Sequence, residues 1–336
     1  MPGLGTQNMT KPPCILVLGT GGTIAGAGSG GTGAGYRPGG LSLEVLVGHL
    51  AALGLEAELR PQEIARIGSQ DIGFAEWQAL HAACASAMDD PAVDAVIITH
   101  GTDTAEETGF LLDLTLPTKK PVILVGAMRP ADAVGADGMR NFANAVKVAS
   151  DPAAAGRGVM LVMGDAVLAV RDARKSATSA IDAFRTFPRG PLARVTPSSL
   201  DWFGPAHRLG ESARYPFPAE LPRVAILTAG AGMDERPVEA LLGIGARGIV
   251  LAGMGQGNAP KVVLEALARA AASGVPVVRA SRVDEGLVDR NVEVEDDALG
   301  LVAARALGPA KARVLLMVLV ANGVTDAAAV QAAFDG

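Results

Sequence analysis

The sequence predicts an α/β fold with two domains, a larger N-terminal domain on a parallel sheet and a smaller C-terminal domain. The chain has 336 residues, 49% of them hydrophobic, and this length fits two domains better than one. Short β-branched runs alternate with longer alanine-rich segments, which is typical of a parallel sheet with helices on both faces. A proline-rich break after about 200 residues separates two such series.

Eight apolar runs mark the predicted strands in chain order. The first four are ILVL from Ile15, AVIITH from Ala95, VILVG from Val122 and VMLVM from Val159. After the break come VAILT from Val224, GIVLAG from Gly248, VPVVRA from Val275 and VLLMVLV from Val314. The longest uninterrupted apolar stretch, residues 314–321, is far shorter than the roughly 18 residues that a membrane span needs. We therefore expect no membrane partner.

The proline-rich break predicts the domain boundaries. Residues 202–223 contain four prolines that interrupt any regular element. We therefore expect an N-terminal α/β domain over residues 1–203, a linker over 204–222 and a C-terminal α/β domain over 223–336. The larger domain is predicted to be flavodoxin-like and the smaller one Rossmann-like.

Charge and composition exclude several classes of function. The chain has 35 acidic and 29 basic residues, a net charge of -6 and no run of lysine or arginine, so we expect no nucleic-acid partner. The first residues lack the apolar core of a signal peptide, which predicts a cytoplasmic protein, or a periplasmic one if a leader was removed. Cys14 and Cys84 are predicted to be isolated thiols. The four histidines lack the spacing of a zinc site, so we expect neither metal nor cofactor.

The first predicted strand ends in a glycine-rich turn, in the segment ILVLGTGGTIAG at residues 15–26. Such a turn can serve geometry alone or bind an anion. The last glycine of a dinucleotide fingerprint would fall at Ile24, and no Gly-Lys-Ser/Thr follows to make a phosphate loop. We therefore expect the turn to bring Thr20 and Thr23 to the carboxyl end of a strand, where open α/β sheets bind their ligands.

A second predicted strand also delivers a threonine at its end, in IITHGTDTAEE at residues 97–107. Thr102 and Asp103 could simply shape this turn. Thr104 and Glu107 have the spacing of a capping box, which predicts that a helix begins here. Two Gly-Thr loops at the ends of strands in one sheet favour a shared site over two unrelated turns.

Several ordered motifs resemble the bacterial-type L-asparaginase and glutaminase-asparaginase family. The N-terminal motifs are TGGTIAG at 20–26, IGSQD at 67–71, THGTDT at 99–104, GAMRP at 126–130 and RDARK at 171–175. The C-terminal motifs are GMGQGN at 253–258 and SRV at 281–283. The resemblance covers nearly the whole chain from about Ile15, and several motifs in order are more specific than any single one.

The resemblance implies hydrolysis of L-asparagine to L-aspartate and ammonia through a threonine acyl-enzyme, with L-glutamine as a side substrate. Thr23 would be the nucleophile, and Tyr36 would assist removal of its proton from a loop that closes over the substrate. Thr102, Asp103 and Lys175 would form a second catalytic group. In this group the lysine and the threonine handle a proton, and the carboxylate also meets the substrate ammonium.

The same resemblance implies which residues bind the substrate and how the chains assemble. The head of the amino acid would be bound by Ser69, Gln70, Asp103 and Glu293, with a hydroxyl and backbone amides suited to its carboxylate and side-chain carboxylates suited to its ammonium. Asn258 would add a contact from the second domain. The family works as a homotetramer built as a dimer of dimers, so Glu293 would act in trans at the site of a neighbouring subunit.

Two alternatives stay open beside an enzyme of this family. An amino-acid sensor could keep the pocket without turnover, but it would have no use for a nucleophile such as Thr23. An amidotransferase subunit could release ammonia for a partner protein. That subunit carries an extra N-terminal domain, whereas the first predicted strand here begins near Ile15.

Overall fold

The computed structural model describes residues 11–26, 42–51, 56–206 and 213–336. In these ranges the chain forms an eight-stranded sheet, a four-stranded sheet and a separate two-stranded sheet. Tyr36, with the loop predicted to close over the substrate, lies outside the described residues, as does the middle of the predicted linker.

The larger sheet has a parallel part of five strands. These are β1 (Cys14–Gly21), β2 (Glu58–Ile67), β3 (Ala95–Thr99), β4 (Val122–Val125) and β5 (Val159–Met163). The connecting helices are α1 (Leu43–Ala51), α2 (Phe74–Asp89), α3 (Ala105–Thr115) and α4 (Gly138–Ala149). The strand order β2-β1-β3-β4-β5, with every pair parallel, is the flavodoxin-like order, so the predicted architecture is confirmed.

Helices cover both faces of this sheet. Along β3, Ile97 belongs to a core cluster with Leu46 of α1 and Phe142 of α4, whereas Ile98 belongs to a second cluster with Leu80 of α2 and Leu112 of α3. This alternation follows from the period of two in a strand. Because the strand order reverses between β1 and β3, a crevice opens outside their carboxyl ends, and ligands bind at this place in open α/β sheets.

Beyond β5 the larger sheet continues with three antiparallel strands. These are β6 (Ala166–Ala169), β9 (Ala193–Val195) and β10 (Leu200–Trp202). Between them β7 (Ala173–Lys175) and β8 (Phe184–Thr186) pair with each other in the two-stranded sheet. All five strands are three or four residues long and escaped the sequence analysis, because so short a run carries no measurable periodicity.

The C-terminal domain is a parallel sheet whose four strands follow one another in chain order. The strands are β11 (Val224–Thr228), β12 (Gly248–Gly253), β13 (Val277–Ser281) and β14 (Val302–Ala303). Its helices are α5 (Arg236–Gly243), α6 (Lys261–Ala272), α7 (Asp296–Leu299), α8 (Pro309–Ala321) and α9 (Ala327–Asp335). Val263 and Leu267 of α6 pack on one face of the sheet, and α8 packs on the other.

The prediction that VLLMVLV forms a strand is wrong, because this run lies within helix α8. The helix is buried between two layers, in a core cluster that includes Phe110 of α3 and Val250 of β12. A helix that is covered on both sides is apolar all round, and its sequence cannot be told from that of a buried strand by periodicity. The fourth strand of the domain is β14.

The segment between β10 and β11 forms no helix or strand within residues 203–206 and 213–223. It is nevertheless packed against the N-terminal domain. The backbone N–H of Tyr215 donates to the carbonyl of Leu114 at 3.0 Å, and the ring of Phe217 stacks on Phe74 and His81. The domain limits at 203 and 223 stay a prediction.

Candidate active site

A polar cavity of about 300 Å³ lies at the carboxyl ends of β1 and β3, where the strand order reverses. It brings together most of the residues that the sequence analysis predicted as site residues. These are Thr23, Ser69, Gln70, Thr102, Asp103 and Lys175. Met128, Thr178 and Ser179 also line it. The sequence analysis missed these three as site residues, although Met128 belongs to the GAMRP motif and the other two follow RDARK closely.

Two glycines place Thr23 at the edge of the cavity. Gly21 and Gly22 have φ angles of 97° and 80°, which strain any residue with a side chain. A Cβ on Gly22 would lie only 2.4 Å from the backbone nitrogen of Gly101, so the turn packs directly against the THGTDT loop. Thr23 then opens a 3-10 turn, Thr23–Ala25, and its side chain is almost fully buried at the cavity wall.

Thr20 has a different place from Thr23, although both follow the same strand. Its hydroxyl donates to the backbone carbonyl of Thr99 at 2.9 Å, and its side chain is buried. This bond joins the ends of β1 and β3. Of the two threonines that the sequence analysis brought to the strand end, Thr23 lines the cavity, and Thr20 fixes the loops behind it.

The capping box predicted for Thr104 and Glu107 is wrong. Helix α3 begins after Thr104, but no side chain caps it there, because both residues have partners elsewhere. The hydroxyl of Thr104 donates to the carbonyl of Ser69 at 2.7 Å, and the carboxylate of Glu107 accepts from Arg313 of α8 at 2.7 Å. The first of these bonds ties the THGTDT loop to the turn that carries Ser69 and Gln70.

Lys175 makes two close polar contacts within the cavity. Its Nζ lies 2.9 Å from Oγ1 of Thr102 and 2.5 Å from Oδ1 of Asp103. The lysine and the threonine are largely buried, whereas the Asp103 side chain is 62% exposed. An amine within hydrogen-bond distance of a hydroxyl can pass a proton to or from it. The exposed carboxylate is available to a cationic group of a ligand.

A buried histidine supports the THGTDT loop from behind. Nδ1 of His100 lies 2.7 Å from the carbonyl of Gly101, which only accepts, so Nδ1 carries the hydrogen. Nε2 then accepts from the hydroxyl of Thr108 at 2.9 Å, and this hydroxyl accepts from the indole N–H of Trp77. Burial lowers the pKa of His100 to about 4, so the ring is neutral at pH 7. The imidazole therefore shapes the loop.

Asn258 and Glu293 lie elsewhere in the structure. They line a separate pocket of about 560 Å³ on the C-terminal domain, together with Gln256 and Ser281. The side-chain amide of Asn258 donates to the carboxylate of Glu293, so the two form a pair. Within one chain, the cavity that Thr23 lines includes neither of them among its described residues.

Two further features of the described ranges bear on ligand classes. No group of three or more histidine, cysteine, aspartate or glutamate side chains in them is placed to hold a metal ion. No helix found there is both long and apolar enough to cross a membrane. Cys14 and Cys84 are both buried free thiols, as predicted.

Two family models match this chain and together span most of it. The model described as asparaginase, N-terminal, matches residues 14–208. The model described as glutaminase/asparaginase C-terminal domain matches residues 223–334.

Individual relatives agree with these matches. The protein named probable L-asparaginase periplasmic from Haemophilus influenzae is 41% identical over 94% of this chain and 90% of its own length. L-asparaginase 2 of Escherichia coli is 41% identical over 90% of this chain and 88% of its own. Glutaminase-asparaginase of Pseudomonas fluorescens is 37% identical over 93% of this chain and 87% of its own length.

A solved structure shares the whole fold. The crystal structure of a probable cytoplasmic L-asparaginase from Campylobacter jejuni matches with a TM-score of 0.89 and 34% identity, and the match covers 96% of this chain and 99% of that one. The names of these proteins include both cytoplasmic and periplasmic, so the predicted cytoplasmic location stays a prediction. Family models, relatives and structure agree over nearly the whole length, and the chain therefore belongs to the asparaginase/glutaminase family of amidohydrolases.

Proposed function

We propose that this protein hydrolyses the side-chain amide of L-asparagine to L-aspartate and ammonia, with Thr23 as the nucleophile. The observation that carries this proposal is the placement of Lys175 Nζ 2.9 Å from the hydroxyl of Thr102, in the same cavity that Thr23 lines. A cavity of about 300 Å³ with polar walls suits a small amino acid. The relative named glutaminase-asparaginase supports L-glutamine as a side substrate.

The reaction runs in two steps that share the cavity. In the first, the hydroxyl oxygen of Thr23 attacks the amide carbon, the C–N bond breaks, and ammonia leaves with the proton that the hydroxyl gave up. Tyr36 assists this proton transfer, as the family resemblance implies. In the second, water attacks the ester on Thr23, and Thr102 with Lys175 takes up its proton. The bond between the acyl carbon and the Thr23 oxygen breaks, this oxygen receives the proton from Thr102 and Lys175, and aspartate leaves.

Charge and hydrogen-bonding groups of the cavity suit the head of an amino acid. The exposed carboxylate of Asp103 provides a partner for the substrate ammonium. The hydroxyl of Ser69 and backbone amides of the turn that holds Gln70 provide donors for the substrate carboxylate. A substrate without both groups would leave part of this site unpaired and would bind more weakly.

The pair formed by Asn258 and Glu293 completes the site of a neighbouring subunit in a homotetramer built as a dimer of dimers. The pair is exposed and lines a pocket of its own, apart from the cavity of its own chain. Val292, next to Glu293, is 64% exposed, and Leu287 is also exposed. Exposed apolar side chains around a polar pair suit a surface that another subunit covers.

Ammonia release from L-asparagine, L-glutamine and their D-forms tests the proposal. We expect L-asparagine to be the best substrate and L-glutamine to follow it. Calorimetric binding of L-asparagine without any ammonia would instead indicate an amino-acid sensor. Ammonia release that requires a second protein would indicate an amidotransferase subunit. The Thr23→Ala protein is the control for ammonia from contaminating enzymes.

A further inference from the structure

A lysine on the C-terminal domain is buried directly beneath the strand that carries Lys175. Lys311, on α8, is 1% exposed and ranks among the largest fully buried side chains of the described residues. A buried ammonium is costly unless each of its hydrogens has an acceptor. Lys311 Nζ donates to the carbonyls of Ala173 and Val170, the latter at 3.3 Å, and lies 3.4 Å from Oε2 of Glu106. Its three hydrogens therefore have three acceptors.

These partners surround the short strand β7. One oxygen of Glu106 faces Lys311, and the other accepts from the backbone N–H of Lys175 at 3.4 Å. The carbonyl of Ala173 and the N–H of Lys175 thus bind the two members of one ion pair, on either side of Arg174. The strand has three residues, and among the described strands it pairs with β8 alone, so its position depends on such anchors.

A contribution to stability does not by itself explain why an ion pair is buried here. Apolar residues of similar volume often stabilise a protein as well as a buried pair does, because removing two charges from water is costly. Burial lowers the pKa of Lys311, and the carboxylate of Glu106 opposes this shift. A charge is retained at this cost although only two of its acceptors, the carbonyls of Val170 and Ala173, lie on the segment that leads to Lys175. The third acceptor, Glu106 of α3, itself binds the backbone N–H of Lys175, so all three contacts point to a role in placing that segment.

We propose that Lys311 and Glu106 are positioning residues that hold Lys175 within hydrogen-bond distance of Thr102. This inference rests on the proposed function. The C-terminal domain then serves the cavity of its own chain from beneath, through α8, independently of the pair that it presents to a neighbouring subunit. Arg174 strengthens the same attachment, because its guanidinium donates to the carbonyls of Val283 and Ala306 on the C-terminal domain.

The same helix interface offers a matched control. Arg313, two residues after Lys311 on α8, pairs with Glu107, the residue after Glu106 on α3, at 2.7 Å. Arg313 also donates to the sulfur of Met317 on its own helix. Lys311→Met and Arg313→Met therefore each delete one cation between the same two helices, but the first alone removes a contact with β7.

The test compares kcat, KM and thermal stability of these two variants with L-asparagine as substrate. We expect Lys311→Met to lower kcat by about 10- to 100-fold and to change KM by less than about 3-fold, because a misplaced Lys175 affects the chemical steps. We expect Arg313→Met to keep kcat within about 2-fold at a similar Tm. A crystal structure of Lys311→Met should show Lys175 Nζ farther from Thr102 Oγ1 than 2.9 Å.

Further outcomes distinguish a variant that does not fold from an error in the positioning role and from an error in the proposed function. If Lys311→Met does not fold, the double variant Glu106→Gln/Lys311→Met removes both charges together, and a low kcat is still expected because Ala173 loses its donor. Equal kcat in Lys311→Met and Arg313→Met, a normal kcat in the double variant, or failure of both Lys311 variants to fold would each overturn the positioning role. A wild-type protein that releases no ammonia would instead refute the proposed function.

Discussion

Arg279 and Asp296 form a two-pronged ion pair that is closed off from solvent. Nε of Arg279 lies 2.6 Å from Oδ1 of Asp296 and Nη2 lies 2.7 Å from Oδ2, and the side chains are 1% and 0% exposed. The guanidinium also donates to the carbonyl of Gln256 at 2.8 Å and to that of Asp289 at 3.2 Å. The carboxylate accepts from the backbone N–H of Asn291 at 3.0 Å. One ion pair therefore holds two separate loops of the C-terminal domain.

We predict that Asp296→Asn destabilises the protein by roughly 3–5 kcal/mol, because it leaves the buried guanidinium of Arg279 without its counter-charge. The two loops that the ion pair of Arg279 and Asp296 holds carry Asn258 and Glu293, so KM for L-asparagine should rise as well. Urea unfolding measures the first effect and steady-state kinetics the second.

The adjacent residue gives the control for this prediction. Asp297 pairs with Arg290 at the surface, where water and salt screen the attraction between the two charges. Asp297→Asn should therefore cost much less than Asp296→Asn. Equal costs would show that the burial of the Arg279 pair has no energetic consequence.

The parallel part of the fold could be predicted because β3, β4 and β5 are buried along their whole length. Such strands have continuous apolar sequences, and the alanine-rich segments between them indicate crossover helices. The same criterion failed for α8, since a helix buried on both sides has an equally continuous apolar run. Its position against α3 depends on contacts that are distant in sequence.

The site could be predicted in part for a similar reason. Thr23 and Thr102 stand in loops that follow buried strands, so the sequence brought them to one edge of the sheet. Lys311 left no such signal, because a single lysine in a helix is usually a surface residue and its partner Ala173 lies 138 positions away. Arg279 likewise left no signal in the sequence, because it lies within a strand. Both buried cations act through partners that only the fold reveals.

We predict that Thr23→Ala lowers kcat by roughly 10³-fold or more while the protein folds normally, because the change removes the reacting hydroxyl from a loop. Ammonia release measures turnover and a thermal melt measures folding. After acid quench with a slow substrate or a diazo-ketone glutamine analogue, peptide mass spectrometry of the wild type should find the ester on Thr23.

Thr20→Val is the matched control for this variant. It deletes a hydroxyl three residues earlier, whose bond to the Thr99 carbonyl is structural, so it should lower stability by about 1–2 kcal/mol and keep most of the turnover. Near-normal rates in Thr23→Ala, or an ester on another residue, would transfer the nucleophile role elsewhere.

Because His100 is buried, we predict that the free energy of unfolding decreases as the pH is lowered in the acid range. Its pKa is about 4 in the folded protein and about 6.5 in an unfolded chain. Between these two pH values the unfolded chain binds a proton that the folded protein does not. The unfolded state therefore becomes more stable relative to the folded state as the pH falls. The full stability is present above about pH 6.5, and up to about 3 kcal/mol is lost by about pH 4.

Urea unfolding at about pH 7 and about pH 5 checks this dependence. His100→Gln should show a smaller fall in unfolding free energy between the two conditions than the wild type. His81, whose pKa burial also lowers, is only partly buried, and His81→Gln should keep most of the dependence. An identical fall in the wild type and in His100→Gln would assign the dependence to other groups.

We predict that Glu293 acts in the active site of a neighbouring subunit. Thr23→Ala and Glu293→Ala should each be nearly inactive alone, but in a mixed dimer one site combines the intact Thr23 of one chain with the intact Glu293 of the other. With free exchange at equal amounts, half of the dimers are mixed and each has one intact site. Ammonia release should therefore recover to about a quarter of the wild-type value.

A second mixture serves as the control, because Thr23 and Thr102 line the cavity of the same chain. Thr23→Ala mixed with Thr102→Ala leaves every cavity without one hydroxyl, so no activity should return however the subunits combine. Native mass spectrometry confirms that exchange has occurred in both mixtures. Recovery requires only that Glu293 of one subunit acts in the site of the other. If subunits exchange and the Glu293→Ala mixture stays inactive, then Glu293 serves its own chain or has no part in turnover.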